Sequence, residues 1–304
     1  MGYLRAGFNE LLAIDLDIDA MATFVINFPD IPVWRKDIRD VGGDEILRFC
    51  GLPKGGLGLL DGSPPCQGFS ISGKRIVSDS RNDLFGHNIR LIREIEPKAF
   101  VIENVPGMAV GRMRGIFNGY MRALRALPYC VRCRLMNAAR HGVPQARRRL
   151  VWLGVRNDLS VIPEFPIGDH RSVTVREALR GCPRGPVPKF DDRYAKLWWR
   201  VEPGRSAVDV IGKGYNSCYK IHPDRPAPVL PALQTGRGFA TVCHWAEPRA
   251  LSIAEAKRLQ SFPDGFTISG GYQSQWRQLG NSVPPKLMEA VAVAMGNVLG
   301  GADG

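Results

Sequence analysis

Leu57-Gly58-Leu59-Leu60, running on into Asp61-Gly62-Ser63-Pro64-Pro65-Cys66-Gln67, is the stretch on which the fold turns. A short apolar run that stops at a Gly/Pro turn reads as a buried strand, and it leaves a thiol just beyond its carboxyl end. The same arrangement recurs on either side. Leu11-Leu12-Ala13-Ile14 leads into Asp15, and Ala99-Phe100-Val101-Ile102 leads into Glu103-Asn104. Leu150–Val155 is a further short apolar run. Helical patterns lie between them, from Leu84 to Ile95 and at Ile116, Tyr120, Leu124 and Leu127. Buried strands alternating with helices predict a parallel α/β sheet. Ligands bind such sheets beyond the strands' carboxyl ends, where Asp15, Cys66 and Glu103 all stand.

Composition agrees with a sizeable folded core: 304 residues, 44% of them hydrophobic. No apolar run reaches the length of a membrane span, and the first residues lack the layout of a signal peptide. A cytoplasmic protein is expected. The net charge is +12, which suits a polyanionic partner. Between Glu103 and Asp158 there is no acidic residue, while eleven arginines occur: 112, 114, 122, 125, 132, 134, 140, 147, 148, 149 and 156. This block reads as phosphate-binding surface. Seven scattered cysteines do not form a disulfide framework. Cys130-x-x-Cys133 has no second pair at zinc spacing and reads as two positions on one strand, so no metal is expected.

From about Ile162 to Gly238 the periodicity fades and Pro, Gly and aromatic residues cluster. This predicts a loop-rich second unit, with boundaries at 1–171, 172–244 and 245–304, the last segment returning to the first domain. Ser252 with Glu255 three residues on predicts a capped helix start, and Pro284–Leu299 a final helix.

A cysteine flanked by a carboxyl group and arginines suits one demanding reaction. Carbon 5 of cytosine is a poor nucleophile until a thiolate adds at C6. An acid must then protonate N3, and donors must hold O2. The sequence resembles the DNA cytosine-5 methyltransferase family over nearly its whole length. Pro65-Cys66-Gln67, Glu103-Asn104-Val105, Gln145-Ala146-Arg147-Arg148-Arg149 and Gly280-Asn281-Ser282-Val283-Pro284-Pro285 are similar to four family motifs, in family order and spacing. The resemblance implies a Rossmann-like S-adenosylmethionine-dependent methyltransferase sheet with a small loop-rich target-recognition domain. It implies that Cys66 attacks C6, Glu103 protonates N3, Arg149 holds O2 with Arg147 in support, and Gln67 and Asn104 complete the catalytic set. The cofactor implied is S-adenosylmethionine, with Asp15 on the ribose hydroxyls, Leu16 against the adenine, and Asp37-Ile38 reading its amino group. Ser63, Pro65 and Leu84 border the methionine side, and Asn281 and Ser282 reach it from the C-terminal end. Asp15 is shorter than the usual family Glu, and Asp37 also fits a simple turn cap.

The DNA-binding set implied is Ser70, Ser72, Lys74 and Arg81 on a mobile catalytic loop, with Gln234, Thr235 and Arg237 in a base-reading loop. The run Gln234–Phe239 also fits an ordinary surface turn. Double-stranded DNA is the expected partner and the target base is expected to flip out of the duplex. A restriction endonuclease acting on the same site, a monomeric state and no membrane association are also expected, with the protein nucleoid-associated.

One departure stands out. The family opens with a strand and a Phe-x-Gly-x-Gly-Gly loop, and no such segment is present in the 304 residues. The expectation is a start codon placed too late, rather than a degraded remnant or a piece supplied by another chain; the C-terminal residues do not supply it by permutation. Without that strand two neighbours would lose their ladder partner. An inactive DNA-binding remnant and a tRNA methyltransferase are the alternatives to a DNA methyltransferase.

Overall fold

The computed structural model describes residues 1–64, 84–168, 171–188, 190–212, 218–234 and 240–300, apart from the side chain of Arg112. At its centre is β4 (Ala99–Asn104), every residue of which is buried. It pairs in parallel with β3 (Leu59–Gly62) and antiparallel with β6 (Arg148–Arg156), and β6 pairs antiparallel with β5 (Tyr129–Asn137). The sheet is therefore mixed, where the apolar pattern predicts a parallel one. Only ten residues separate β5 from β6, too few for the crossover that two parallel neighbours need.

β4 reads as a continuous apolar run because both of its faces are covered. Phe100 and Ile102 pack with Leu150 and Trp152 under α4 (Leu84–Ile95) and α5 (Arg114–Arg125). Ala99 and Val101 pack with Val151, Leu153 and Val155 against α11 (Pro285–Gly300) on the other face. Gly154 lies beneath Phe100, and a Cβ there would stand 2.1 Å from the ring, so only glycine fits.

β1 (Ala13–Asp15) and β2 (Val33–Arg35) form a separate parallel pair. Among the described residues no strand joins β1 or β2 to β3, so the sheet is interrupted where a lost ladder partner is expected. The pair is tied in by side chains. Leu12, Ile14 and Trp34 share a cluster with Leu57 and Leu60 around α3 (Gly43–Cys50). α2 (Ile18–Asn27) is clasped to α10 (Tyr272–Asn281) by Thr23 donating to Gln278 Oε1 at 2.6 Å, by Arg277 on Asp17 at 2.9 Å, and by Ser274 on Asp19. Short α1 (Gly2–Arg5) crosses α11, with Gly2 tight against Met288 and Glu289.

In the loop-rich stretch the regular elements are short: α6 (Val175–Leu179), α7 (Asp192–Arg200), α8 (Val208–Ile211) and a two-residue pairing of β7 (Tyr219–Lys220) with β8 (Val242–Cys243). Their core is shared with the C-terminal segment. Val175, Ile221 and Leu230 pack with Leu259, Trp276 and Leu279. α9 (Ile253–Leu259) starts with the expected reciprocal cap between Ser252 and Glu255. Cys130 and Cys133 both lie on β5, and burial pushes the Cys133 thiol up to about 12. Among the described residues, no helix is long and apolar enough to cross a membrane.

Candidate active site

The carboxyl ends of β3 and β4 bring four of the expected residues together. Glu103 is 7% exposed, Arg149 7%, Asn104 2% and Arg147 0%. Arg149 Nε sits 2.6 Å from Glu103 Oε1, and its Nη1 donates to the carbonyl of Arg148 at 2.8 Å. The Arg149 Nη2 group has no hydrogen-bond partner among the described residues, so a donor remains beside the carboxyl group. Burial raises the Glu103 pKa, although Arg149, Arg147 and a hydrogen bond from Ser63 all pull the other way. The carboxyl group therefore holds its proton to a higher pH than an exposed glutamate would. Ser63, expected on the cofactor's side, places its hydroxyl on Glu103.

Asn104 works on the neighbouring chain. Its Nδ2 donates to the carbonyl of Pro64 at 3.2 Å, and its Oδ1 accepts from the backbone N–H of Val105 at 2.8 Å. It thereby ties the end of β4 to the segment entering Cys66. Cys66 itself lies outside the described residues, as do Pro65, Gln67, Ser70, Ser72, Lys74, Arg81, Thr235 and Arg237.

Arg147 is a joint between three segments. Nη2 donates to the Gly280 carbonyl at 2.7 Å and Nη1 to the Leu230 carbonyl at 3.4 Å. A Cβ on Gly280 would meet the backbone of Pro231 and Ala232 at 2.5–2.7 Å. The glycine is thus what lets α10 approach that closely. Asn281 and Ser282 follow at the C-terminal end of this helix; Asn281 is exposed and the Ser282 hydroxyl donates to Leu279.

The residues expected around the cofactor occupy a more open setting. Asp15 ends β1, and one carboxylate oxygen is fixed by the N–H groups of Leu16 (2.6 Å) and Asp17 (2.9 Å). Its other oxygen has no partner among the described residues. Leu16 is 56% exposed, and Leu84 and Ile38 are half-buried. Asp37 caps the 3-10 turn Ile38–Asp40. Both of its oxygens are occupied by Arg39, at 3.0 Å to Nε and 2.6 Å to Nη2, which holds its pKa down at about 2. The turn-cap reading of Asp37 is what the structure displays; reading an amino group would require Arg39 to yield.

Gln234 is a correction. It is fully buried, with Nε2 donating to the Val242 carbonyl at 2.9 Å and Oε1 accepting the Val242 N–H at 3.1 Å. Its amide is engaged by the Val242 backbone and is not free to meet a base edge.

Sequence reasoning missed Asp61 and Tyr3. The Tyr3 hydroxyl donates to Asp61 Oδ1 at 2.7 Å. Asp61 keeps solvent contact but is crowded by the surrounding protein. Desolvation, with Glu103 and Glu10 nearby, raises its pKa to about 6. The one available signal was a charged residue directly after an apolar run.

The model of C-5 cytosine-specific DNA methylases matches residues 1–220 and 213–297. The chain belongs to the C-5 cytosine-specific DNA methylase family. Curated relatives of this methylase include the Type II methyltransferase M.XorII of Xanthomonas oryzae pv. oryzae, 33% identical over 96% of this chain and 80% of the relative. Another is M1.HphI of Haemophilus parahaemolyticus, 32% identical over 97% and 82%. Among solved structures, a DNA modification methyltransferase encoded within an Escherichia coli prophage superposes with a TM-score of 0.76 at 26% identity, covering 98% of this chain and 95% of that one. The Spodoptera frugiperda DNMT2 triple mutant shares the fold, with a TM-score of 0.67 at 17% identity over 97% and 96%.

Proposed function

We propose that this methylase transfers a methyl group to C5 of cytosine within a short sequence of double-stranded DNA, with S-adenosylmethionine as donor. The observation that carries the reading is the buried Glu103–Arg149 pair, joined through Asn104 and Pro64 to the segment that bears Cys66.

The residues fit the reaction in order. Cys66 Sγ adds to C6 of a cytosine turned out of the duplex, forming a carbon–sulfur bond. Glu103, whose burial lets it take up a proton at higher pH than an exposed glutamate would, gives that proton to N3, so the ring's electrons collect at C5. The free Nη2 of Arg149 holds O2. When bound, the cofactor supplies an electrophilic methyl group. Loss of the C5 proton to a base then reforms the C5–C6 double bond and releases the Cys66 thiolate, and N3 returns its proton to Glu103. Asn104 keeps the Cys66 segment in register with Glu103, and Arg147 locks the recognition segment and α10 to β6.

The cleft fits the cofactor at Asp15, whose unpaired oxygen suits ribose hydroxyls, and at Leu16 and Leu84, which offer apolar surface. Asn281 and Ser282, at the end of α10, complete the proposed cofactor set. Asp37 fits only once Arg39 releases it. Thr235 and Arg237 are the base-reading residues of this proposal, with Ser70, Ser72, Lys74 and Arg81 following the DNA backbone. A relative's Type II name makes an endonuclease with the same recognition site the fitting biological partner.

The test is covalent trapping. Duplex DNA carrying 5-fluorocytosine, incubated with protein and S-adenosylmethionine, is expected to give an adduct, because fluorine at C5 blocks the final elimination. Cys66→Ala is expected to abolish it. An adduct that persists in Cys66→Ala overturns the nucleophile.

A further inference from the structure

The arginine-rich, acid-free run between Glu103 and Asp158 divides in two once folded. Arg147 and Arg149 turn inward and serve the site. Arg114, Arg122 and Arg125 instead stand exposed on α5. At 3.6 residues per turn the three fall within about 80° of one another. Met121 and Leu124 on the same helix pack into the core, and the stripe borders them on its solvent side. Arg93, in the last turn of α4, is exposed as well, and α4 and α5 are held side by side by the stacked rings of Phe85 and Tyr120, 4.2 Å apart.

None of these four arginines makes an ion pair among the described residues, whereas several other cations do. Lys54 is paired with Glu96, Arg90 with Glu94, Arg156 with Asp158, Arg176 with Asp224 and Arg258 with Asp264. The acids closest in sequence to the stripe are therefore already engaged. Helix stabilisation does not account for the charge either. Cations in the last turn favour the helix dipole, which suits Arg122 and Arg125, but the same dipole disfavours Arg114 in the first turn.

We propose that this α5 stripe is a docking surface for the phosphate backbone of DNA outside the target site. The proposal rests on the reading of DNA as substrate. Charge complementarity selects the occupant. From Arg114 to Arg125 the stripe is about 16 Å long, and a duplex carries roughly one charge per 1.7 Å of axis. A duplex segment of that length carries about ten phosphates, of which those on the facing side meet an α5 face that has no acidic residue of its own. Guanidinium groups with unoccupied donors suit phosphate oxygens. The stripe would hold the enzyme on long DNA while the cleft samples targets.

The test is the salt dependence of binding to a long duplex that lacks the target sequence, followed by fluorescence anisotropy from about 50 to about 200 mM salt. The triple variant Arg114→Gln/Arg122→Gln/Arg125→Gln is expected to lower the slope of log K against log salt by roughly 2 to 3, at about 0.9 per phosphate contact. The corresponding triple Lys variant is expected to restore it. A short duplex ending close to the target is expected to bind the Gln variant and the wild type alike. An unchanged slope on long DNA overturns the proposal, as does an equal loss on the short duplex, which would put the stripe inside the target cleft. Adding a second, unlabelled duplex to the bound complex distinguishes flanking DNA of the same molecule from a second one. Wild-type protein that binds DNA without methylating it would sink the proposed function, while the slope comparison would still decide the stripe.

Discussion

The two proposed banks of the site, one for the base and one for the cofactor, are built on opposite plans. On the base side, Glu103, Asn104, Arg147 and Arg149 are buried and held by one another or by backbone carbonyls across three segments. On the cofactor side, Asp15 and Asp37 are held by their own turns, and Leu16 and Asn281 face solvent. A buried polar group costs several kcal/mol unless its partners are already in place, so the base side is preorganised in the protein itself. An exposed carboxylate is satisfied by water until a ligand replaces it. The difference teaches that stability and base chemistry are coupled on one bank and largely uncoupled on the other.

The sharpest way to break that contrast is Arg149→Ala. It leaves a buried carboxylate without its partner, so unfolding free energy should fall by about 3–5 kcal/mol. Methyl transfer in single turnover should fall by about 10²–10³-fold. Urea denaturation and rapid quench on the same preparation check both, and loss of one without the other would show the bank is not a unit. Next in size, Asp15→Asn should weaken S-adenosylmethionine binding by roughly tenfold, the worth of one charge-assisted hydrogen bond. It should leave the denaturation midpoint unmoved. Calorimetric titration decides, and a stability loss comparable to that of Arg149→Ala would erase the distinction drawn here.

The smallest effect concerns Asp61, near the end of β3. Its folded pKa, about 6, lies above that of an unfolded aspartate. The folded state therefore binds the proton more tightly, and this residue's contribution to stability is present below about pH 4 and lost as pH rises through about 6. Because Asp61 keeps solvent contact, screening cuts the size to no more than about 1 kcal/mol. Asp61→Asn should narrow the stability gap between pH 4.5 and 7.5, read by urea denaturation against wild type; a gap of the same size would remove Asp61 as the source.

Much of the base side was legible because its signals are local. Glu103-Asn104 follows a run apolar enough to be a two-sided buried strand, and Ser252 with Glu255 fixes a helix start within four residues. What escaped depends on distant contacts. The Tyr3–Asp61 bond spans 58 residues. Gln234 looked like a loop residue until β7 and β8 paired and brought Val242 to its amide. The antiparallel β5–β6 return hid behind apolar runs that are the same for either strand direction. Arg39 lies two residues from Asp37, yet nothing in that spacing says which way a long side chain will turn.

The clasp between α2 and α10 has a consequence for synthesis. Thr23 meets Gln278, Asn27 meets Thr267 and Asp17 meets Arg277 across separations of 255, 240 and 260 residues. At translation rates of roughly 5–20 residues per second, the first layer to leave the ribosome waits on the order of 10–50 s for its fastening. Contacts of such long range close late and slowly. The bank with few internal holdfasts is thus also the one most exposed to proteases and chaperones during that interval. Nascent chains arrested before residue 267 should be cut within α2 and spared within β4, whereas uniform protection would show that the early layer secures itself.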